Sequence, residues 1–76
     1  MATTDEHKEF CERVKSRRKE LGLTQALVAQ RLGMTQPAYA EVESGRSAPG
    51  FHVLYRLAHA LEVDVHDLLP AGVKHS

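Results

Sequence analysis

Three kinds of side chain in this sequence could do chemistry by their type and spacing. His52, His59 and His66 recur every seven residues, Cys11 is a lone thiol, and residues 13–19, RVKSRRK, carry five positive charges and no negative one. The histidine interval invites a metal site, but on a helix His52 and His59 project away from the apolar stripe. No cysteine or second close ligand joins them, so no metal and no other cofactor is expected. Cys11 falls among charges at the edge of an inward helix face, where a partly buried thiol is the plain expectation and a redox switch is not. No Ser-His-Asp set, carboxylate pair or phosphate-cradling loop is present, so catalysis has nothing to rest on and the chain is expected not to be an enzyme. The basic run remains. Acids balance it at Asp5, Glu6, Glu9 and Glu12 and again at Glu62, Asp64 and Asp67, so ten Lys and Arg against ten Asp and Glu sum to zero. The neutral total argues against a strongly basic nucleic-acid protein, while the distribution allows a polarised one.

The elements that position these groups must be small. A chain of 76 residues buries only about 60% of its unfolded surface and has no material for a second core, so one domain is expected. Its folded part should run from about residue 7 to 70, with tails at 1–6 and 71–76 flexible. No apolar run approaches the ~20 residues that span a bilayer. The opening MATTDEHKE has no signal-peptide layout, and a single cysteine builds no internal disulfide, so a cytoplasmic protein is expected.

Helical periodicity organises the chain. Phe10, Val14 and Leu21 share one face of a first helix over about 7–21, stopped by Gly22, with Arg17 on the same stripe reaching toward water or a phosphate. Thr24 caps a second helix over 25–32, whose Val28, Ala29 and Leu32 face inward and whose stop is Gly33. Thr35 caps a third, with Pro37 in its first turn, Tyr39 and Val42 inside, and Ser44-Gly45 at its end. GRSAPG (45–50) is a loop by its turn chemistry. A fourth helix over about 51–61 places Phe51, Leu54, Leu57, Ala58 and Leu61 within about 120° of arc. Asp64 caps a fifth, VHDLL, which Pro70 ends. With no strand signal, repeat or low-complexity tract, the fold class is all-α, a compact five-helix unit.

Residues 25–44, QALVAQRLGMTQPAYAEVES, meet the steric demands of a helix-turn-helix together: a small Ala29 near the crossing, Gly33 in the turn, and apolar Val28, Leu32, Met34, Tyr39 and Val42 between the helices. Here the chain resembles a known family. GLTQ (22–25), AQRLG (29–33), TQPAYAEVESG (35–45) and RLAHALEVDVHDLLP (56–70) look like the Cro/CI-type (XRE) helix-turn-helix family. The upstream RVKSRRKELGLTQ is especially like the DNA-binding domains of lambdoid phage repressors. The likeness covers about residues 10–70, nearly the whole expected fold.

That resemblance implies a role for each position. Gln36, Pro37, Ala38 and Glu41 become base-facing residues of a third helix in the major groove. Gln36 could hold adenine N6 and N7, Glu41 could accept from cytosine N4, and Pro37 and Ala38 offer only apolar surface to a thymine methyl. Thr24, Gln25, Thr35, Ser44 and Arg46 become phosphate contacts. Arg18 and Glu43 stand where the family has an internal salt bridge tying the first helix to the third, and Arg18 is a further phosphate candidate. One departure is Leu27, apolar where the family usually carries charge, either a harmless exposed leucine or a partner contact.

The implied function is a sequence-specific double-stranded DNA-binding transcriptional regulator, a repressor, binding an inverted-repeat operator as a homodimer. Tyr55, Val63, Val65 and Leu69 are the expected self-association surface. With no sensor segment following, its own level or another protein would set occupancy. Two alternatives keep the fold: an antitoxin that binds a toxin protein and autoregulates its operon, and a controller of restriction-modification genes. No membrane partner and no small-molecule ligand is expected.

Overall fold

The computed structural model describes residues 5–69. Five helices follow in order: α1 (Asp5–Glu20), α2 (Gln25–Leu32), α3 (Gln36–Ser44), α4 (Phe51–Ala60) and α5 (Val65–Leu68), with no strand among the described residues. The expected all-α class stands. None of these helices is long and apolar enough to cross a membrane.

The boundaries follow local chemistry. α1 begins at Asp5, inside the stretch expected to be a flexible tail, because Asp5 and Glu6 place negative charge at the positive end of the helix dipole. It ends one residue short of expectation, at Glu20, and Gly22 turns the chain with φ +71°. Thr24 caps α2 through its hydroxyl, which accepts from Leu27 N at 3.1 Å. Thr35 does the same for α3 from Ala38 N at 3.3 Å. Gly33 closes α2 in the left-handed region, φ +70°, where a residue with a Cβ would be strained. α5 ends at Leu68, with Leu69 already extended, and Asp67 accepts from Asp64 N at 3.2 Å to brace its start. The expected stop at Pro70, residues 1–4 of the expected N-terminal tail and the expected tail at 71–76 lie outside the described residues.

α2 packs on α3 and α4, α1 packs on α3 and α5, and α4 packs on α5. The core they enclose is built on Val14, Val28, Tyr39, Val42, Leu57, Leu61 and Leu68, each at most 2% exposed. Ala29, expected inward on α2, is buried at 2%. Phe51 corrects the sequence reading. Expected on the inner face of α4, it is 80% exposed. It stands at the margin of the apolar arc and on the helix's first residue, so it projects past the edge of the core while Leu57 and Ala58, farther along, reach it.

The corner after α4 has a second device. No glycine is available, and Glu62 takes the left-handed turn itself with φ +60°. Two arginines bind the carbonyls there, Arg17 Nε donating to Leu61 O at 2.9 Å and Arg31 Nη1 to Ala60 O at 3.1 Å, and a third, Arg13, donates from Nη1 to Asp67 O in α5 at 3.3 Å. Cations at carbonyl ends both satisfy acceptors and oppose the negative end of the helix dipole. Arg17 is thereby turned onto the protein, with a further contact from Nη2 to Glu62 O at 3.4 Å, and not outward to a phosphate as its stripe position suggested.

A contrast of two aromatic and aliphatic deletions in α4 tests this packing. Leu57→Ala should cost about 2–5 kcal/mol in urea unfolding, because it empties a fully buried site. Phe51→Ala should shift stability by no more than about 0.5 kcal/mol, since the ring is already in water. Equal losses would show that Phe51 is a core residue after all.

Candidate nucleic-acid interface

The site is built from the inside out, on a carboxylate. Glu43 lies in the last turn of α3 with 3% of its surface exposed. Its Oε2 accepts from Arg18 Nε and from the Tyr39 hydroxyl at 2.6 Å, and its Oε1 from Arg18 Nη2 at 3.2 Å and Gln25 Nε2 at 3.0 Å. Arg18 Nη1 donates onward to Leu23 O at 2.9 Å. One carboxylate therefore ties together α1, the first residue of α2 and the interior of α3.

The charges respond to that enclosure. Burial pushes the Glu43 carboxyl up, but hydrogen bonds from Arg18, Tyr39 and Gln25, with the charge of Arg18, outweigh it and hold the group below the usual carboxylate range. The Arg18 guanidinium is raised by its hydrogen bond to Glu43. The Tyr39 phenol is raised strongly, by burial first and by its bond to Glu43 second. Tyr39 was expected only as apolar filling. Its hydroxyl is a fourth support for the carboxylate, and the i to i+4 spacing of Tyr39 and Glu43 on one helix face was the signal for it.

Around this anchor the expected surface positions fall as follows. Gln36, Pro37 and Glu41 are exposed at the start and middle of α3, and Ala38 is half-buried between them. Ser44, the last residue of α3, and Arg46 beyond it are exposed, and Ser44 Oγ donates to Glu41 O at 3.1 Å. Thr24 and Thr35 accept as caps, which leaves each hydroxyl hydrogen free to donate. Gln25 is half-buried and gives one amide hydrogen to Glu43. Arg18 is the exception: all three of its nitrogens donate within the protein and its side chain is 12% exposed. It serves here as a buttress, with three of its five N–H donors spent within the protein.

The remaining expected positions are peripheral. Tyr55 is 62% exposed and Leu27 43% exposed, while Val63 and Val65 pack partly against the core and Leu69 is half-buried. Cys11 is more buried than expected, at 6%, and donates to Val42 O at 3.3 Å; burial raises its thiol pKa, which opposes reactivity. His52, His59 and His66 are all exposed, and no cluster of three or more His, Cys, Asp or Glu suited to a metal occurs among the described residues.

The Glu43 anchor makes stability acid-sensitive. Because the folded-state pKa is depressed, its contribution is present above the unfolded carboxylate range, about pH 4.3, and is lost as pH falls through the folded value. The urea midpoint of the protein should therefore drop below about pH 4, and Glu43→Gln should remove that part of the pH dependence. Glu43→Ala should cost about 3–5 kcal/mol near neutral pH, because it leaves Arg18 enclosed without a partner. A loss under about 1 kcal/mol would show that the network is peripheral.

Known proteins share this architecture. A helix-turn-helix family model matches residues 14–68. The cryptic phage CTXphi transcriptional repressor RstR of Vibrio cholerae is 35% identical over 57 residues, which are 75% of this chain and 51% of RstR. The chain spans about half the length of such curated relatives. Among solved structures, the restriction-modification controller protein C.AhdI of Aeromonas hydrophila superposes with a TM-score of 0.79 at 25% identity, over 83% of this chain and 96% of that one. Hydroxypropylphosphonic acid epoxidase of S. wedmorenis gives 0.83 at 29% identity, over 95% of this chain but only 38% of the epoxidase. That likeness concerns one segment of a longer enzyme and carries no chemistry to this chain. With the family model matching well over half of its length and a carboxylate-anchored helix pair at its centre, the chain belongs to the helix-turn-helix family of Cro/CI (XRE) type.

Proposed function

We propose that this chain is a sequence-specific double-stranded DNA-binding transcriptional regulator, a cytoplasmic repressor that grips an inverted-repeat operator as a homodimer. The observation that carries the reading is the division of α3 into two faces. Tyr39, Val42 and Glu43 are buried and anchored, while Gln36 and Pro37 at the helix's start and Glu41 in its middle are exposed. A helix held this firmly and left bare on one side is suited to the major groove. Gln36 would read adenine by a bidentate amide contact, Glu41 would accept from cytosine, and Pro37 and the accessible part of Ala38 would touch a thymine methyl. Thr24, Gln25, Thr35, Ser44 and Arg46 would meet phosphates on either side and fix the register.

Half-sites would lie about one helical turn, roughly 34 Å, apart. Tyr55, Val63, Val65 and Leu69 would form the pairing surface, with the exposed Tyr55 ring as its centre. A repressor role is supported by the name of the Vibrio cholerae relative. A controller of restriction-modification genes is the second reading, favoured by the likeness to C.AhdI over nearly all of that protein.

The test is titration against the gene's own upstream DNA and against a scrambled duplex at two salt concentrations. Equal affinity for both duplexes would sink the specific-regulator reading. Gln36→Ala should cost about 1–3 kcal/mol and relax preference at one base pair, whereas Arg46→Ala should weaken all sequences alike and flatten the salt dependence by about one unit. In sedimentation, Tyr55→Glu should shift the protein toward monomer without unfolding it, and an unchanged dimer would place the pairing surface elsewhere.

A further inference from the structure

The cations of α1 separate into two populations. Its arginines are committed to the protein: Arg13 to Glu9 at 2.8 Å and to the carbonyl of Asp67, Arg17 to the α4–α5 corner, and Arg18 to Glu43. Its lysines are not, because no ion pair to Lys8, Lys15 or Lys19 occurs among the described residues. Lys8 and Lys15 are exposed two helical turns apart and line one cleft of about 330 Å³ with Glu12, Ser44 and Gly45. The carboxylate at the cleft's floor, Glu43, is already neutralised by Arg18. The uncompensated balance is therefore two ammonium groups against the single exposed carboxylate of Glu12.

This cleft opens directly beside the end of α3, at the position proposed above to touch a phosphate through Ser44. We infer that Lys8 and Lys15 form a second phosphate-binding edge, by which α1 follows the DNA strand that passes Ser44 and Arg46. The inference rests on the DNA-binding reading and deepens it. Seven residues of helix separate the two ammonium stems by about 10.5 Å, a span that suits phosphates about two steps apart on one strand, because the strand winds around the axis as it rises about 3.4 Å per nucleotide. A flexible ammonium suits such a contact, since it acts as a point charge and needs no fixed angle of approach. Glu12 between them is the opposing element, which lowers affinity for any polyanion and limits retention on unrelated DNA.

The experiment is a salt titration of binding to the upstream duplex, by fluorescence anisotropy, for the natural chain and for Lys8→Gln/Lys15→Gln. Arg56→Gln, an exposed cation on α4 away from the cleft, serves as control. Each phosphate contact contributes about 0.9 to the log–log salt slope, so the double variant should flatten it by about 2, and its loss of affinity between 50 and 200 mM salt should be about tenfold smaller. Glu12→Gln should tighten binding to specific and scrambled duplexes alike. Replacing single phosphates by methylphosphonates should weaken the natural chain at positions about two nucleotides apart on one strand and leave the double variant unaffected there. A double variant with the natural slope would overturn the inference while leaving the regulator reading intact. If the natural chain binds duplex DNA with no salt dependence at all, the regulator reading fails and this inference with it.

Discussion

The structure depends on one enclosed carboxylate. Glu43 is 3% exposed, and an ion placed there without partners would cost several kcal/mol in lost hydration. The cost is offset only because four donors converge on it from Arg18, Tyr39 and Gln25. None of the four can drift without uncovering the charge. The carboxylate thus couples α1, the start of α2 and the whole length of α3 into one arrangement, and a small chain with a modest core gains orientation where apolar packing alone would permit sliding.

Two further constraints act on the same frame. Gly33 lets the chain turn between α2 and α3 in a left-handed conformation, with the threonine caps beginning each helix at a defined residue. On the far side, Arg17 and Arg31 hold the carbonyls where α4 passes to α5, and Arg13 holds the Asp67 carbonyl in α5. The surface proposed for self-association therefore sits on a corner braced from α1 and α2. In a dimer built that way, the distance between two copies of α3 would be set by the same side chains that stabilise each copy. This is the geometric condition for matching half-sites at a fixed spacing.

How much of this was legible in the sequence varied with the physics involved. Caps and stops could be read because they are local: Thr24, Gly33, Thr35 and Gly45 act within a few residues of themselves. Interior positions could be read where the apolar period was surrounded by core, as at Val28, Val42 and Leu57. The reading failed at Phe51, because periodicity gives an angle around a helix and says nothing of whether another element lies opposite. It also failed for the long cations. Arg17 and Arg18 were candidates for phosphate, and both are turned inward, because a guanidinium's destination is decided by acceptors brought near only after folding, such as the Leu61 carbonyl 44 residues away. The Arg18–Glu43 pair itself was legible through family resemblance alone, since nothing in composition or spacing links residues 25 apart.

The same division between fixed and free groups bears on how the proposed docking would discriminate sequences. On the base-facing side of α3, two polar readers flank Pro37 and a half-buried Ala38, so few hydrogen bonds to base edges are available. The phosphate-facing groups are more numerous and sit on elements whose positions are fixed by Glu43, the caps and the arginine-held corner. A rigid frame with many backbone contacts and few base contacts gains most from DNA whose groove width and bend already match the spacing of those contacts, and loses affinity wherever the duplex must be deformed to reach them. Under the proposed docking, specificity would come as much from how the strands run past Thr24, Ser44 and Arg46 as from the bases beneath Gln36. The rigidity that Glu43 imposes would then convert DNA shape into a difference in binding free energy, because a pliable frame would simply follow any sequence.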